Sequence, residues 1–454
     1  MEQKVKIGDE FNLDIRKMGI NGEGIGYYKN LAIFVDGAIV KETVKCRITQ
    51  VTKNFAKGEV LEIIRKSTKR IEPICKFYER CGGCQIQHIE VKEQMKLKRN
   101  LIKESLTRYT KLDVENINIL PVVMNEDIER GYRNKSQMPL KNTEFGLAMG
   151  LFQVSTNKFV YVDNCPVQLD IVNKINREVL SILRKYEIKA SLNDKDGLIK
   201  YVITRSLINA HESQVTLSVV KYDERLEKIA KEIIQIPTVK TVAYTLTKSK
   251  DENVFGNEVV ILEGEKYIID QFLDFKVMLS PKSFYQLNTS QAQKIYLETI
   301  KLLDVKDTDV VIDGYSGIGL IGMMMAKKAK KVYEIEYSES SINDAKNNAK
   351  INNITNMEYI ADKVENALPK ILKNKPNILV VDPPRTGLDP KLIEVILKSP
   401  IEKIAYISCN HATLAKNLNE LSKAYDIEVI EPFDFFYLTS HIESLVILNR
   451  KHDL

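Results

Sequence analysis

Three cysteines fall within one ten-residue run, CKFYERCGGC, as Cys75, Cys81 and Cys84. Thiols at C-x5-C-x2-C on a Gly-Gly turn have the spacing of metal ligands, and a reducing compartment disfavours a disulfide. The set needs a fourth ligand, and Cys165 in DNCPV is the natural candidate, followed by Pro166 as in many iron–sulfur sites. Four thiolates suit either zinc or an iron–sulfur cluster, although the five-residue gap is wider than zinc ribbons use. Cys46 lies in a strand-like stretch and is expected to pack. Cys409 stands apart, in YISCNHATLAKN, at the end of an apolar run. Alone, it reads as a small buried apolar residue; beside a suitable substrate site, it reads as a nucleophile.

A second chemistry is carried by DVVIDGYSGIGLIG, an apolar strand ending in Asp313, a glycine loop and a helix. Gly317, Gly319 and Gly322 satisfy G-x-G-x-x-G, and Glu336 closes the next strand, KKVYEIE. The glycines let backbone approach a nucleotide, and the strand-end carboxylate suits ribose hydroxyls, so NAD and S-adenosylmethionine both fit. Three features favour the methyl donor. Asp313 precedes the loop, where it can face a cationic group; Tyr315 interrupts the bare backbone a pyrophosphate needs; and Asp362 ends a third strand, near an adenine. A fourth strand ends in DPPRTGL, placing Asp382 at the carboxyl edge of the sheet, where open α/β folds bind ligands. Arg385 stands where amine methyltransferases carry an aromatic.

The elements that must position these groups fall into three stretches. Residues 1–65 alternate apolar and polar positions with glycine punctuation, as a small β-barrel of an OB-like, oligonucleotide-binding kind does. Gly19, Gly22, Gly24 and Gly26 read there as one hairpin loop. Residues 66–280 hold the cysteines, a basic helix over 91–109 expected to pack on the last domain, and mixed strands and helices of an α+β domain. From 281 to 454 strand and helix alternate regularly, a doubly wound α/β sheet ending in a hairpin. The net charge of +6 is concentrated at the front: residues 1–110 carry 22 Lys and Arg against 14 Asp and Glu. That region suits phosphate. No apolar run reaches the ~18 residues of a membrane helix, and MEQKVKIGDEF has no signal-peptide core. A cytoplasmic monomer with no membrane contact is expected.

Taken together, the chain resembles the RNA uracil-5-methyltransferase family. The resemblance rests on CKFYERCGGCQIQHI with Cys165, then FYQLN, DGYSGIG, VYEIE, DPPRTGL, SCN and HIES, in the family's order. It implies a TRAM barrel, a central domain with a 4Fe-4S cluster on the four cysteines, and a class I (Rossmann-like) methyltransferase domain. Gln286, Tyr315, Glu336 and Asp382 would contact S-adenosylmethionine, with Asp313, Gly317 and Asp362 beside them. Cys409 would be the nucleophile and Glu443 the base. The implied partner is structured RNA, with 23S rRNA favoured over tRNA because the family's tRNA branch resembles a shorter chain lacking barrel and cluster. Two departures stand out: Cys-Asn-His where the family reads Cys-Asn-Pro, and FYLTSHIE where it reads Phe-Pro-His-Thr before His-x-Glu. They motivate a rival reading, an RNA-binding protein with an inactive methyltransferase fold.

The chemistry requires these residue types. C5 of uracil is a poor nucleophile; a thiolate added at C6 converts the ring to an enolate and activates C5. Once C5 is methylated, a carboxylate must remove its proton before the thiolate leaves. The base must be flipped out or lie in a loop to be reached.

Overall fold

The computed structural model describes residues 5–124, 131–153, 156, 158–192, 194–248 and 253–452; the first four residues of the expected barrel lie outside these. Strands β1 (Glu10–Met18), β2 (Gly24–Tyr28), β3 (Leu31–Val35), β4 (Thr43–Val51) and β5 (Phe55–Arg65) close into a barrel ordered β1-β2-β3-β5-β4. Alternation builds it: Ile33, Val35, Val44, Cys46 and Ile48 point inward and are buried. Lys29 and Asn30, both at positive φ, make the tight β2–β3 turn. The glycines divide. Gly19 and Gly22 lie in the loop, while Gly24 and Gly26 belong to β2, where a Cβ would crowd Ile15 and Leu13 across the narrow interior.

Helix α1 (Val91–Tyr109) buries Ile102 and Leu106 in the core of the last domain. The chain then runs alongside that domain's edge, bridging Ile119 to Ile430 and Val123 to Phe433. The central sheet comprises β6 (Lys135–Thr143), β7 (Gly146–Phe152), β8 (Phe159–Tyr161), β9 (Ile199–Ser206), β10 (Ser213–Val219), β11 (Val239–Leu246) and β12 (Val260–Gly264). Its order is β12-β11-β10-β9-β6-β7-β8. Helices α2 (Asp170–Lys185) and α3 (Arg225–Ile233) bury their apolar stripes in its core. A hairpin, β13 (Ile268–Phe272) and β14 (Phe275–Leu279), leads into the last domain.

That domain begins with α4 (Thr289–Leu303). Its parallel strands are β15 (Val310–Gly314), β16 (Lys331–Glu336), β17 (Met357–Ala361), β18 (Ile378–Val381) and β19 (Lys403–Ser408). Between and after them run α5 (Leu320–Ala326), α6 (Glu339–Ile351), α7 (Val364–Ile371), α8 (Pro390–Lys398) and α9 (His411–Leu421). The antiparallel pair β20 (Tyr425–Phe433) and β21 (Glu443–Arg450) completes the order β17-β16-β15-β18-β19-β21-β20. Continuous apolar runs such as ILVV in β18 are buried throughout because helices cover both faces. The order reverses between β15 and β18, which makes their carboxyl ends the ligand crevice.

Candidate active site

Two loops at that crevice carry the glycine motif and the DPP motif. After Asp313 the backbone turns through Tyr315, Gly317 and Gly319, all at positive φ, and Gly319 begins α5. Tyr315 is the costly member, because a side chain at positive φ is held only by its surroundings; its N–H is anchored on Ile335 O at 2.9 Å. The Gly322 N–H donates to Asp313 Oδ2 at 2.9 Å, locking strand end to helix. Gln286, Asp313, Tyr315, Gly317 and Asp382 line one cleft, together with Phe284 and Tyr296. Glu336 is tied to the loop beside it, accepting from Gly317 N at 3.2 Å and Ser338 N at 2.8 Å. Asp362 is turned to its own helix, accepting from Lys363 N, Asn366 Nδ2 and Lys370 Nζ, and is not among the groups lining the cleft.

The cleft is acidic and partly shielded, so its carboxyls resist ionisation. Burial pushes Asp313 up to about 8, with Asp382 and Glu336 adding repulsion. Burial alone lifts Asp382 to about 7. A bound cation would offset this repulsion.

Across Asp382 lies the thiol. Ser408, last in β19, pairs in antiparallel register with Ser444 of β21. Cys409 and Glu443 are the next step outward on the two strands, so 34 residues of sequence separation vanish at the sheet edge. Asn410 caps α9, its Oδ1 accepting from Ala412 N at 3.0 Å, while its Nδ2 donates to Arg385 O at 3.1 Å. Thr413 Oγ1 donates to the same carbonyl at 3.2 Å, so thiol loop and DPP loop are fastened together. Burial first, then Glu443 and Asp382, push the Cys409 thiol up to about 11, with Arg385 opposing. Burial and Asp382 push Glu443 up to about 8, again against Arg385.

His411, the departure after Cys-Asn, is the first residue of α9, where a proline is often found. Here its Nδ1 lies 2.7 Å from Ser105 Oγ, joining α9 to α1. Burial and His441 hold it down at about 4, a neutral ring.

The loop leading to Glu443, residues 434–442, is held from several sides. Lys98 Nζ lies 2.5 Å from Asp434 Oδ1, with both side chains shut off from water. Leu438 O accepts from Gln85 N at 3.3 Å and Ile86 N at 3.2 Å, and Leu438 has φ 66°. Asn288 Nδ2, Tyr132 Oη and Ser440 Oγ tie this loop to α4, the central domain and the barrel, through Phe435 O, Tyr437 O and Ile20 O respectively. Sequence reading missed Lys98, Asp434 and Ser105, none of which sits in a motif. Arg385 was visible in DPPRTGL, without its electrostatic role.

Cys75, Cys81, Cys84 and Cys165 line one cavity of about 140 Å³, walled by Phe77, Met138, Leu151 and Val162. Among the described residues, no three Cys, His, Asp or Glu side chains converge as ligands of a single metal ion. A zinc site would draw its sulfurs to about 3.8 Å from one another, from Zn–S bonds of about 2.3 Å. The four thiols share this one cavity, a donor set that zinc and an iron–sulfur cluster both accept.

Residues 90–451 match the family model described as tRNA (Uracil-5-)-methyltransferase, and residues 4–61 match the TRAM domain. A protein of Enterococcus faecalis named as an uncharacterized RNA methyltransferase is 37% identical over 99% of this chain and 100% of its own. One from Streptococcus agalactiae is 37% identical over 97% of this chain and 98% of its own. The crystal structure of Pyrococcus abyssi tRNA (uracil-54, C5)-methyltransferase in complex with S-adenosyl-L-homocysteine superposes with a TM-score of 0.75. It is 23% identical, and the likeness covers 96% of this chain and 99% of that one. It shares the fold.

Proposed function

The chain belongs to the tRNA (uracil-5-)-methyltransferase family, and from that premise we propose that it methylates C5 of a uridine in structured RNA through a Cys409–C6 adduct. The observation that supports this is the register of β19 and β21, which pairs Ser408 with Ser444, so that Cys409 and Glu443 follow one step outward, with Asp382 of the acidic cleft acting on both. Bound there, S-adenosylmethionine supplies a methyl group on a cationic sulfur. Gln286, Tyr315, Gly317 and Asp382 would hold it, with Asp313 behind, Glu336 at the ribose and Asp362 toward the adenine. Engagement of Asp362 requires its carboxylate to leave Lys370 and Asn366.

The residues divide the work. Burial and two carboxyls keep Cys409 a thiol at rest, so its proton must leave as sulfur bonds to C6. Arg385 is the cation that favours the thiolate. As sulfur bonds to C6, the C5=C6 π pair shifts onto C5 and O4 as an enolate, and C5 takes the methyl group, the electrons of the broken bond staying on the donor sulfur. Glu443 then removes the C5 proton, the C5=C6 double bond reforms and Cys409 leaves. A carboxyl near 8 is a better proton acceptor than an ordinary carboxylate once it is ionised.

The four cysteines would hold a 4Fe-4S cluster whose contribution is structural, joining residues 75–84 to Cys165. The barrel and the basic first quarter would grip RNA phosphates. We take 23S rRNA as the first substrate to test. The Pyrococcus tRNA enzyme shares the fold over 96% of this chain, so fold alone does not separate the two RNAs. Both RNAs are therefore arms of the experiment. Wild-type protein and Cys409→Ala are incubated with radiolabelled donor and each RNA, unmodified or carrying 5-fluorouridine. Methyl transfer to C5 and a denaturant-resistant adduct on fluorinated RNA are expected for wild type alone. Methyl transfer by Cys409→Ala would refute the adduct mechanism, and none by either protein would favour the inactive-fold reading.

A further inference from the structure

One buried acid near the cleft has no part in the reaction just described. Glu334, in β16, is fully buried, and neither of its carboxyl oxygens has a hydrogen-bond partner among the described residues. Its register partner in the parallel ladder is Asp313 of β15. The carboxyl occupies the space that a side chain at position 322 would need. A Cβ on Gly322 would overlap Glu334 Oε1 and stand 3.2 Å from Asp313 Oδ2, while one on Gly319 would stand 3.6 Å from Glu334 Oε2. The two glycines of the donor loop thus leave room for a second acid directly behind the first.

An unpaired carboxylate with no hydrogen bond is too costly to bury, so Glu334 is held neutral. Burial and then Asp313 push it well above its ordinary value, with the nearby Ser316 hydroxyl opposing. The other ionisable groups facing the pair are Glu336, Asp382 and the phenols of Tyr296 and Tyr359. Among the described residues, no cationic side chain acts on either carboxyl. Asp313 lines the cleft and Glu334 does not, so Glu334 acts through Asp313.

We propose that Asp313 and Glu334 form one proton-holding pair in which Asp313 gives up a proton when a cationic donor fills the cleft, while Glu334, packed behind it, stays neutral and is the positioning residue. The inference rests on the donor reading above. S-adenosylmethionine carries sulfonium, ammonium and carboxylate, a net positive charge that stabilises ionised Asp313; the displaced proton goes to solvent. After methyl transfer the sulfur is a neutral thioether, and the pair takes a proton back. The pair thereby separates donor from spent product by charge.

Calorimetric titration at pH 7.5 in two buffers of different ionisation heat counts the protons released on binding. S-adenosylmethionine should release at least twofold more than S-adenosylhomocysteine in the wild-type protein. In Asp313→Asn that excess should disappear, whereas in Glu334→Gln, a neutral group of the same shape as the acid held neutral here, it should persist. Equal release for the two ligands in wild type, an unchanged excess in Asp313→Asn, or its loss in Glu334→Gln would overturn the proposal. If neither variant folds, the wild-type comparison decides alone. Binding of neither ligand would overturn the donor reading itself, a result distinct from binding with equal proton release.

Discussion

Lys98 and Asp434 lie 336 residues apart in sequence and meet at 2.5 Å, their side chains 0% and 2% exposed. Lys98 Nζ also donates to Phe436 O at 3.2 Å. Lys98→Met keeps most of the packed stem but leaves a carboxylate buried without its cation. Removing one member of such a pair costs about 3–5 kcal/mol. At about 1.4 kcal/mol per decade, opening of the 434–442 loop should become roughly a hundred- to a few thousand-fold more frequent. The amides of Gln85 and Ile86, closed on Leu438 O, report it directly, and their hydrogen exchange should accelerate by that factor. Lys98→Met/Asp434→Leu should regain most of the loss, because an apolar pair of similar volume is often no worse than a buried ion pair. Exchange within about fivefold of wild type, under ~1 kcal/mol, would refute the reasoning. So would a double variant that opens as readily as the single.

Glu443 should also show in stability. Its folded value of about 8 lies above the ~4.3 of an unfolded chain, so its contribution is full below about pH 4 and is lost as pH rises through 8. Glu443→Gln should therefore unfold at a higher temperature than wild type at pH 8.5, with the gap closing toward pH 5. Cys165→Ser should lower thermal stability and RNA affinity more than donor affinity, with iron and sulfide content falling in the same preparations; zinc at one equivalent without iron would defeat the cluster reading. Arg16, Lys29 and Lys57 are exposed on the barrel, and changing all three to Gln should flatten the salt dependence of RNA binding, by about 0.9 in slope for each phosphate left without its cation. An unchanged slope would give the barrel another role.

The candidate site was largely legible because its groups sit at strand ends, which both glycine punctuation and apolar runs mark. Asp313, Glu336, Asp382 and Cys409 each close or follow a strand that alternation or length identifies. Glu334 escaped because VYEIE gives no sign that the Gly322 turn packs against it; a buried strand acid and a solvent-facing one look alike in sequence. Position alone put Asp362 near the adenine; its bonds to Lys363, Asn366 and Lys370 had no sign in the sequence. Gly24 and Gly26 read as loop residues because glycine usually signals a turn. In this barrel they answer to crowding at Leu13, Ile15 and Ala38, which only the closed sheet reveals. Lys98 and Ser105 were illegible in principle, since their partners lie more than 300 residues away.

Those long-range contacts bear unequally on the two reacting groups. Cys409 is set by the catalytic sheet and by Asn410, which caps the helix that follows it. Glu443 follows a loop that accepts or donates one bond each to the barrel at Ile20, the central domain at Tyr132 and α4 at Asn288. Two more come from the cysteine segment, and the buried ion pair joins the loop to α1. A shift of the barrel, the central domain or the cysteine segment is thus passed to Glu443 through this loop, whereas Cys409 is tied to α1 through His411 and Ser105. On the proposed mechanism, addition and methyl transfer would draw on the sheet edge and the cleft beside it, and proton removal would draw in addition on the docking of this loop. In this arrangement the parts that would grip RNA are mechanically tied to the step that frees it.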